Sequence, residues 1–249
     1  MNEAGETWAP PPPRIQLAED EIHIWSAWLD RPGQPADRLA ATLSADERTR
    51  ADRLRFDKER RRFIAGRAIL RGILARYVDL APEAIVFQYL SHGKPALASP
   101  SIRPAVRFNM AHSDQLALYA FCASADVGVD VERLRRIPEA AQIAERFFSA
   151  GERATLSALP ADRIEEAFLA CWTRKEAYLK AIGAGLSSPL DEFEVTLAPG
   201  EPARLLRVAG ASGQETAWLL HSFLPAPGYL SACAGSPGHA RVRTFGWRG

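Results

Sequence analysis

A short segment in the middle of the chain, Val-Gly-Val-Asp-Val-Glu at residues 127–132, constrains the fold most strongly because apolar and polar side chains alternate along it. Successive strand residues face opposite sides, so the pattern predicts a strand whose valines enter a core. Asp130 and Glu132 then share the other face, about 7 Å apart. Carboxylates at this spacing repel each other unless a cation lies between or above them. The segment therefore favours a site for Mg²⁺, which prefers oxygen ligands.

A second segment, residues 172–180, predicts a helix that adds further polar groups. Trp172, Glu176 and Lys180 recur every four residues, so they lie along one side of it. Glu176 is compatible with a third metal ligand or a general base, and Lys180 with a cation that neutralises an anionic oxygen beside the metal. Gly183 and Gly185 are typical of a helix end. Ordinary structural roles stay open for both segments, namely a solvated strand face and a surface ion pair.

Positive charge is concentrated between Arg48 and Arg76, although the formal net charge of the chain is only +1. This stretch contains eleven Lys and Arg residues and three acids. Ser44-x-x-Glu47 before it is a capping-box pattern, and the apolar spacing beyond it predicts one or two helices. Three interpretations remain open: a site for a multiply charged anion, a solvated basic face, or nucleic-acid binding. The nearly neutral total argues against nucleic acid.

Length and composition indicate a globular protein that needs no covalent staples, since 47% of the 249 residues are hydrophobic. Cys122, Cys171 and Cys233 form no close pair, which favours a reducing compartment. Residues 1–8 lack the apolar core of a signal peptide, and no apolar run approaches the roughly 20 residues that span a bilayer. We expect a soluble cytoplasmic protein without a membrane partner.

The predicted elements repeat one order: a strand, then helices, then an antiparallel set of strands. Strands are predicted over residues 21–29, 85–90, 106–110, 116–123, 127–132, 192–197, 216–224 and 228–233, and helices over residues 44–77, 139–147, from Ser149 onward and 162–181. This order favours an α+β fold of two similar subdomains, residues 14–125 and 126–249, after a mobile proline-rich lead-in at residues 1–13. The carboxylate strand then lies at their junction, where ligand clefts tend to form.

Two further segments carry polar groups near that junction. His112-Ser113 follows a predicted strand, and Lys94 lies in the turn Gly93-Lys94-Pro95; both are compatible with an anionic ligand or with ordinary structural roles. The chain contains no G-x-S-x-G elbow, so His112 and Ser113 do not indicate a serine hydrolase. Phosphate-loop, dinucleotide and zinc-helix motifs are also absent from the sequence.

Six motifs follow one another along the chain: Arg62–Arg71, Gly93-Lys94-Pro95, Phe108-Asn109-x-x-His112-Ser113, Gly128-x-Asp130-x-Glu132, Arg146-Phe147-Phe148-Ser149 and Trp172-x-x-Lys175-Glu176-Ala177-x-x-Lys180. Together they resemble the Sfp-type 4′-phosphopantetheinyl transferases over roughly residues 50–197. The resemblance implies a monomer of two α+β halves related by a pseudo-twofold axis. It also implies that coenzyme A and Mg²⁺, or alternatively Mn²⁺, bind in the cleft between the halves.

The implied reaction transfers 4′-phosphopantetheine from coenzyme A to a serine of an apo acyl or peptidyl carrier protein and releases adenosine 3′,5′-bisphosphate. The resemblance assigns Asp130, Glu132 and Glu176 to the metal, Lys180 to the pyrophosphate, His112 and Arg62, with Arg55, to the 3′-phosphate end, Lys94 to the adenine nucleotide and Ser113 to coenzyme A binding. Glu176 is then the candidate base for the serine hydroxyl, directly or through a water on the metal. Ala111 stands where many relatives have Ser, which predicts the loss of one hydroxyl contact to phosphate.

Two other functions compete with this interpretation. A non-catalytic module for coenzyme A or a nucleotide would use the basic cluster and His112 but has no need for three convergent acids. A nucleic-acid phosphotransferase or nuclease would also use carboxylates and Mg²⁺, and would bind polyanions with strong salt dependence. The motifs do not distinguish carriers of fatty acid, polyketide or nonribosomal peptide synthesis.

Overall fold

The structure, a computed structural model, describes residues 8–12, 15–31, 36–90, 93–98, 105–123, 125–184, 189–210, 213, 218–236, 238–239 and 241–248. Its helices and strands, in chain order, are β1 (Glu21–Trp28), α1 (Ala36–Ala41), α2 (Ala45–Asp52), α3 (Asp57–Leu74), β2 (Phe87–Tyr89), β3 (Pro95–Leu97), β4 (Arg107–Ser113), β5 (Leu116–Cys122), β6 (Val127–Arg133), α4 (Ala140–Phe147), α5 (Ala150–Ser157), α6 (Ile164–Ile182), β7 (Phe193–Val195), β8 (Leu205–Val208), β9 (Leu219–Phe223), β10 (Tyr229–Gly235) and β11 (Arg241–Gly246). The fold is therefore α+β, as the sequence predicts. No helix in the described part of the chain is long and apolar enough to cross a bilayer.

Two antiparallel sheets with the same internal order form the framework. The first contains β1, β5 and β4, and the second contains β6, β10 and β9, each written in the order of their pairing. A two-stranded hairpin accompanies each sheet, β2–β3 in one half and β7–β8 in the other. The strand β11 crosses back from the end of the chain and pairs in parallel with β1. Most of the predicted strands are confirmed, whereas β3, β8, β11 and the short helix α1 were not predicted.

A buried ion pair organises the helices of the first half. Glu47 follows the start of α2, and its Oε2 accepts hydrogen bonds from the backbone of Ser44 at 3.1 Å and from Nε of Arg71 on α3 at 2.8 Å. Arg71 also donates to the carbonyl oxygens of Pro82 and Ile85. The guanidinium therefore joins α2 and α3 to the turn that leads into β2.

The second half contains the same device. Oε2 of Glu152, on α5, accepts from the backbone of Ser149 at 2.8 Å and from Nζ of Lys175 on α6 at 2.9 Å. Lys175 also donates to the carbonyl oxygens of Leu190 and Phe193, just before and at the start of β7. Both capping boxes thus direct a buried carboxylate onto a cation of the following long helix. This correspondence supports the proposed division into two similar halves at about residue 125.

Helix α6 lies directly against β6, because Gly128 leaves room for it. A Cβ atom at Gly128 would collide with the carbonyl oxygen of Ala177 and with the backbone nitrogen of Ala181. Val127 and Val129 face an apolar cluster on the other side of the strand, as the alternation predicts. The carboxylate face of β6 is therefore covered by α6, and Asp130 is only 6% exposed.

The ends of two segments differ from the sequence prediction. Asp162 was expected to begin the long helix, but residues 161–163 form a single 3₁₀ turn and Arg163 is the cap of α6. At the other end Gly183 terminates α6 with a φ of 71°, as predicted, while Gly185 lies outside the described residues. In the lead-in, Ala9 forms a parallel bridge with Phe245 of β11.

Candidate active site

Strand β6 and helix α6 bring a lysine onto a buried carboxylate. Nζ of Lys180 lies 2.6 Å from Oδ1 of Asp130 and also donates to the carbonyl oxygen of Val129 at 3.3 Å. The two residues face each other because Asp130 points toward α6 from the strand and Lys180 lies in the last turn of that helix. The structure therefore joins two of the predicted site residues.

A hydroxyl positions the second strand carboxylate. Ser113, at the end of β4, donates its Oγ hydrogen to Oε2 of Glu132 at 2.8 Å. Oγ of Ser113 in turn accepts a hydrogen bond from the backbone N–H of Arg133 at 3.1 Å. Ser113 thus orients Glu132 and is not among the residues that line the cavity described below.

The electrostatics of this cluster favour a cation. Burial raises the pKa of Asp130 to about 7; Lys180 opposes this shift, and Glu176 and Glu132 add to it. Burial likewise raises the pKa of Glu176. One oxygen of each, Oδ2 of Asp130 and Oε1 of Glu176, is buried and has no hydrogen-bond partner among the described residues. Uncompensated buried carboxylate oxygens are costly and suit a positively charged ligand.

The donor set fits Mg²⁺. Within the described residues, no group of three or more His, Cys, Asp or Glu side chains is already arranged to hold a metal ion. Lys180 contacts Oδ1 of Asp130, and Ser113 donates to one oxygen of Glu132. Mg²⁺ needs only one or two protein carboxylates, because it completes its octahedron with water and substrate phosphate oxygens. The free oxygens of Asp130 and Glu176 are carboxylate oxygens that suit such a metal ion.

A cavity of about 330 Å³ opens beside this cluster, and Lys180 lines it. Its wall is strongly cationic and comes from both halves of the chain. The residues of that wall are Arg50, Arg62, Phe63, Gly66, Arg67, Gly93, Lys94, Pro95, Asn109, Met110, His112, Leu179, Lys180 and Gly183. Clustered cations around a largely apolar concavity suit a phosphorylated ligand with an apolar ring.

Lys94 connects the β2–β3 hairpin to the end of α6. Its Nζ donates to the carbonyl oxygen of Lys180 at 2.6 Å and to that of Val127 at 3.4 Å. Burial lowers the pKa of Lys94. Gly93 precedes it with a φ of 74°, a conformation that glycine adopts without strain. The hairpin turn therefore places a cation at the cavity wall.

His112 and Arg62 both line the cavity wall, but their electrostatic surroundings differ. Removal from bulk water lowers the pKa of His112, and the positive charges of Lys180 and Arg62 lower it further. Arg62 is fully engaged, since it donates to both oxygens of Asp30 and, at 2.8 Å, to Oδ1 of Asp114. These carboxylates fix the guanidinium of Arg62 at the edge of the cavity.

Arg55, which was predicted to bind the coenzyme, does not line the cavity wall. Three residues that do line it were not assigned to the site from the sequence. Arg55 stacks on Phe56, 5.6 Å from the ring centroid, and is not among the lining residues. Arg50, Phe63 and Arg67 line the wall instead. The i, i+4 spacing of Phe63 and Arg67 already places them on one face of α3.

Two family models match consecutive parts of the chain. Residues 126–234 match the 4′-phosphopantetheinyl transferase superfamily, and residues 27–124 match the N-terminal model of 4′-phosphopantetheinyl transferase. The transferase HetI of Nostoc sp. is 40% identical over 97% of this chain and 96% of its own length. A putative transferase of Synechocystis sp. is 33% identical over 80% and 78%, and Sfp of Bacillus subtilis is 32% identical over 71% and 77%. The chain belongs to the 4′-phosphopantetheinyl transferase superfamily. It is an enzyme that transfers phosphopantetheine from coenzyme A to a carrier protein.

Proposed function

We propose that the cavity binds coenzyme A with its diphosphate beside Lys180, and that the cluster of Asp130, Glu132 and Glu176 is the reaction centre. The acceptor is a serine of an apo acyl or peptidyl carrier protein, and the released product is adenosine 3′,5′-bisphosphate. One observation carries this assignment: Lys180 lines the cationic cavity and forms an ion pair with the buried carboxylate of Asp130. A ligand phosphate near Lys180 therefore lies near the carboxylates.

The cavity residues bind and orient the coenzyme. We assign the adenosine portion to the wall that contains Phe63 and Lys94, and its phosphates to the surrounding cations, with His112 among them. A protonated imidazole is a good phosphate partner, and an entering phosphate favours that form because opposite charges raise the pKa of the imidazole. Ser113 acts indirectly in this scheme, by orienting Glu132.

We propose that Asp130, Glu132 and Glu176 hold Mg²⁺, which supplies charge neutralisation on the diphosphate when bound. Mn²⁺ is the alternative, because it also prefers carboxylate ligands. Asp130 and Glu176 support this assignment because each has a buried oxygen without a hydrogen-bond partner among the described residues. Glu132 adds negative charge beside Asp130.

Glu176 is the proposed general base. Its burial raises its pKa, and a base with a raised pKa accepts a proton more readily at neutral pH. The carboxylate accepts the proton of the carrier serine as the serine oxygen forms a bond to the phosphorus on the pantetheine side. The bond from that phosphorus to the bridging oxygen breaks, and adenosine 3′,5′-bisphosphate leaves with the electron pair. Lys180 stabilises the negative charge that develops on the diphosphate oxygens.

The proposal extends to a cytoplasmic monomer that acts without nucleic acid or membrane. Arg62 and Lys180 come from different halves of one chain and line the same cavity, so the site needs no second copy. Cys122, Cys171 and Cys233 are free thiols buried in the fold, which suits a reducing compartment.

The nucleotide product provides the test. The protein, coenzyme A and Mg²⁺ are incubated with an apo carrier, and adenosine 3′,5′-bisphosphate is quantified by chromatography. We expect one nucleotide per modified carrier, and none with the same carrier whose acceptor serine is replaced by alanine. Equal release with both carriers would indicate hydrolysis of coenzyme A and contradict the proposal.

A further inference from the structure

The two antiparallel sheets meet along a seam between two edge strands. In the pairing order of each sheet, β4 is the last strand of the first and β6 is the first strand of the second, and these two strands lie against each other. On one side of an edge strand the backbone N–H and C=O groups have no ladder partner, and buried groups of this kind need another one. The backbone of β6 on the side that faces β4 therefore needs partners from outside its own sheet.

Side chains of the first half supply these partners. The backbone N–H of Val129 donates to Oδ1 of Asn109 at 3.0 Å. Four residues further along both strands, the backbone N–H of Arg133 donates to Oγ of Ser113 at 3.1 Å. The two residues of each pair are 20 positions apart, so β4 and β6 run in the same direction with a constant register. Asn109 and Ser113 thus form a side-chain ladder along the seam.

The other side of β6 forms ordinary backbone bonds with β10 and its flanks. The carbonyl oxygen of Asp126 accepts from the N–H of Ser236 at 3.0 Å, and the N–H of Leu134 donates to the carbonyl oxygen of Gly228 at 2.8 Å. Backbone groups of successive strand residues point to alternate sides. The even-numbered residues of this strand therefore face β10, and the odd-numbered Val129 turns its N–H toward β4.

Asn109 lies where this ladder meets the carboxylate cluster. Its side chain lines the cationic cavity, and the residue is only 6% exposed. A backbone N–H bonds only to an acceptor, so the carbonyl end of the Asn109 amide is directed at Val129. Val129 directly precedes Asp130, whose carboxylate forms the ion pair with Lys180. A shift of the Val129 backbone would move Asp130 with it, because the two residues share a peptide bond.

We infer that Asn109 is a positioning residue for the transfer reaction: its side-chain carbonyl fixes the backbone of Val129 and thereby places the carboxylate of Asp130 at the cavity. This inference rests on the proposed function, which puts the reaction centre at Asp130. A displacement of about 1 Å at a reacting group can reduce a rate about a hundredfold. Asn109 acts through Asp130, so its loss changes kcat more than it changes the affinity for coenzyme A.

The test separates kcat from the KM for coenzyme A. Wild type, Asn109→Leu, Asn109→Asp and the control Arg107→Leu, at the exposed start of the same strand, receive the same apo carrier and Mg²⁺. Leucine has the branched shape of asparagine but no acceptor, so we expect Asn109→Leu to lose about tenfold to a hundredfold in kcat with little change in KM. Asn109→Asp retains an acceptor, so its kcat should lie well above that of Asn109→Leu, although its negative charge raises KM for the anionic coenzyme. Arg107→Leu should match wild type.

Two further measurements need no carrier. Calorimetry with adenosine 3′,5′-bisphosphate gives the concentration of binding sites to which each rate is referred, so an unfolded fraction does not imitate a low kcat. Amide hydrogen exchange examines the contact itself. We expect the Val129 amide to exchange faster in Asn109→Leu than in wild type, and Asn109→Asp to restore slow exchange. Asn109→Ala, with the same expectations, serves if Asn109→Leu does not fold.

Three results would overturn the inference. Wild-type kcat in a folded Asn109→Leu protein would limit Asn109 to packing between β4 and β6. A raised KM as its only defect would make Asn109 a contact of the coenzyme alone. Unchanged exchange at Val129 would mean that the amide does not hold this strand. Failure of wild type to modify any carrier would count against the proposed function instead, since a defect confined to the Asn109 variants cannot arise in that way.

Discussion

Nζ of Lys180 lies 2.6 Å from Oδ1 of Asp130 and also faces the cationic cavity. This single contact joins the two parts of the proposed site, the carboxylate cluster and the cationic cavity. It also explains why a buried aspartate tolerates neighbouring acids, because the ammonium opposes the rise in its pKa. Loss of Lys180 would leave Asp130 as a buried carboxylate with one fewer counter-charge.

The Lys180→Met variant tests the role of this ammonium in the transition state. We expect kcat to fall about a hundredfold or more, since a preorganised positive donor on a developing charge has about this effect. Steady-state rates at saturating coenzyme A check the prediction. A variant with raised KM and unchanged kcat would show that Lys180 only binds the ground state.

Substitution of Asp130 by Asn tests the metal assignment. We expect a higher Mg²⁺ concentration at half-maximal rate, because a neutral amide is a weaker ligand than a carboxylate. A Mg²⁺ titration of the transfer rate measures this, with Asp162→Asn, at the exposed 3₁₀ turn before α6, as the control. Identical titration curves for wild type and Asp130→Asn would reject a ligand role for Asp130.

Two glycine substitutions test the packing of the helices. Gly128→Ala inserts a Cβ into the backbone of α6, so we expect a loss of about 3 kcal/mol or more in the free energy of unfolding. Gly66→Ala meets nothing closer than 3.8 Å and lies inside α3, so it should leave stability unchanged or raise it slightly. Urea unfolding compares the two proteins. Equal midpoints would mean that α6 does not lie against β6 as described.

The buried His23 predicts loss of stability in acid. It bonds to Tyr77 at 2.9 Å and to Glu21 at 3.2 Å, and burial lowers its pKa in the folded state. As the pH falls below about 6.5, the unfolded chain takes up a proton that the folded chain does not, so stability decreases. Titration of His23 alone changes the free energy of unfolding by at most about 1.4 kcal/mol per pH unit.

Urea unfolding of wild type and His23→Gln at pH 7.5 and 5.5 measures that contribution. We expect the difference in stability between the two pH values to be smaller in the variant. The same pH dependence in both proteins would show that His23 does not titrate in the expected direction.

The sequence predicts the site elements well because their patterns are local. The alternation at residues 127–132 and the four-residue spacing of Glu176 and Lys180 depend only on strand and helix periodicity. The pairing of β11 with β1 was not predicted, since it joins residues about 220 positions apart and Arg-Val-Arg-Thr has no strong apolar signal. Arg67 was likewise missed as a buried group, because a cation on a basic helix is ordinarily solvated. The guanidinium of Arg67 contacts the ring of Tyr89, a hairpin residue from another part of the chain.

Intact-mass spectrometry of apo carrier proteins tests the central claim most directly. Each carrier is incubated with coenzyme A, Mg²⁺ and either wild type, Glu176→Gln or the same-helix control Glu165→Gln, and a parallel sample contains EDTA. We predict that the carrier gains one phosphopantetheine with wild type and with the control, and that EDTA abolishes this gain. With Glu176→Gln we predict that the rate falls by at least about a hundredfold. Near-wild-type transfer by a folded Glu176→Gln protein, or full transfer in EDTA, would contradict the carboxylate centre described above.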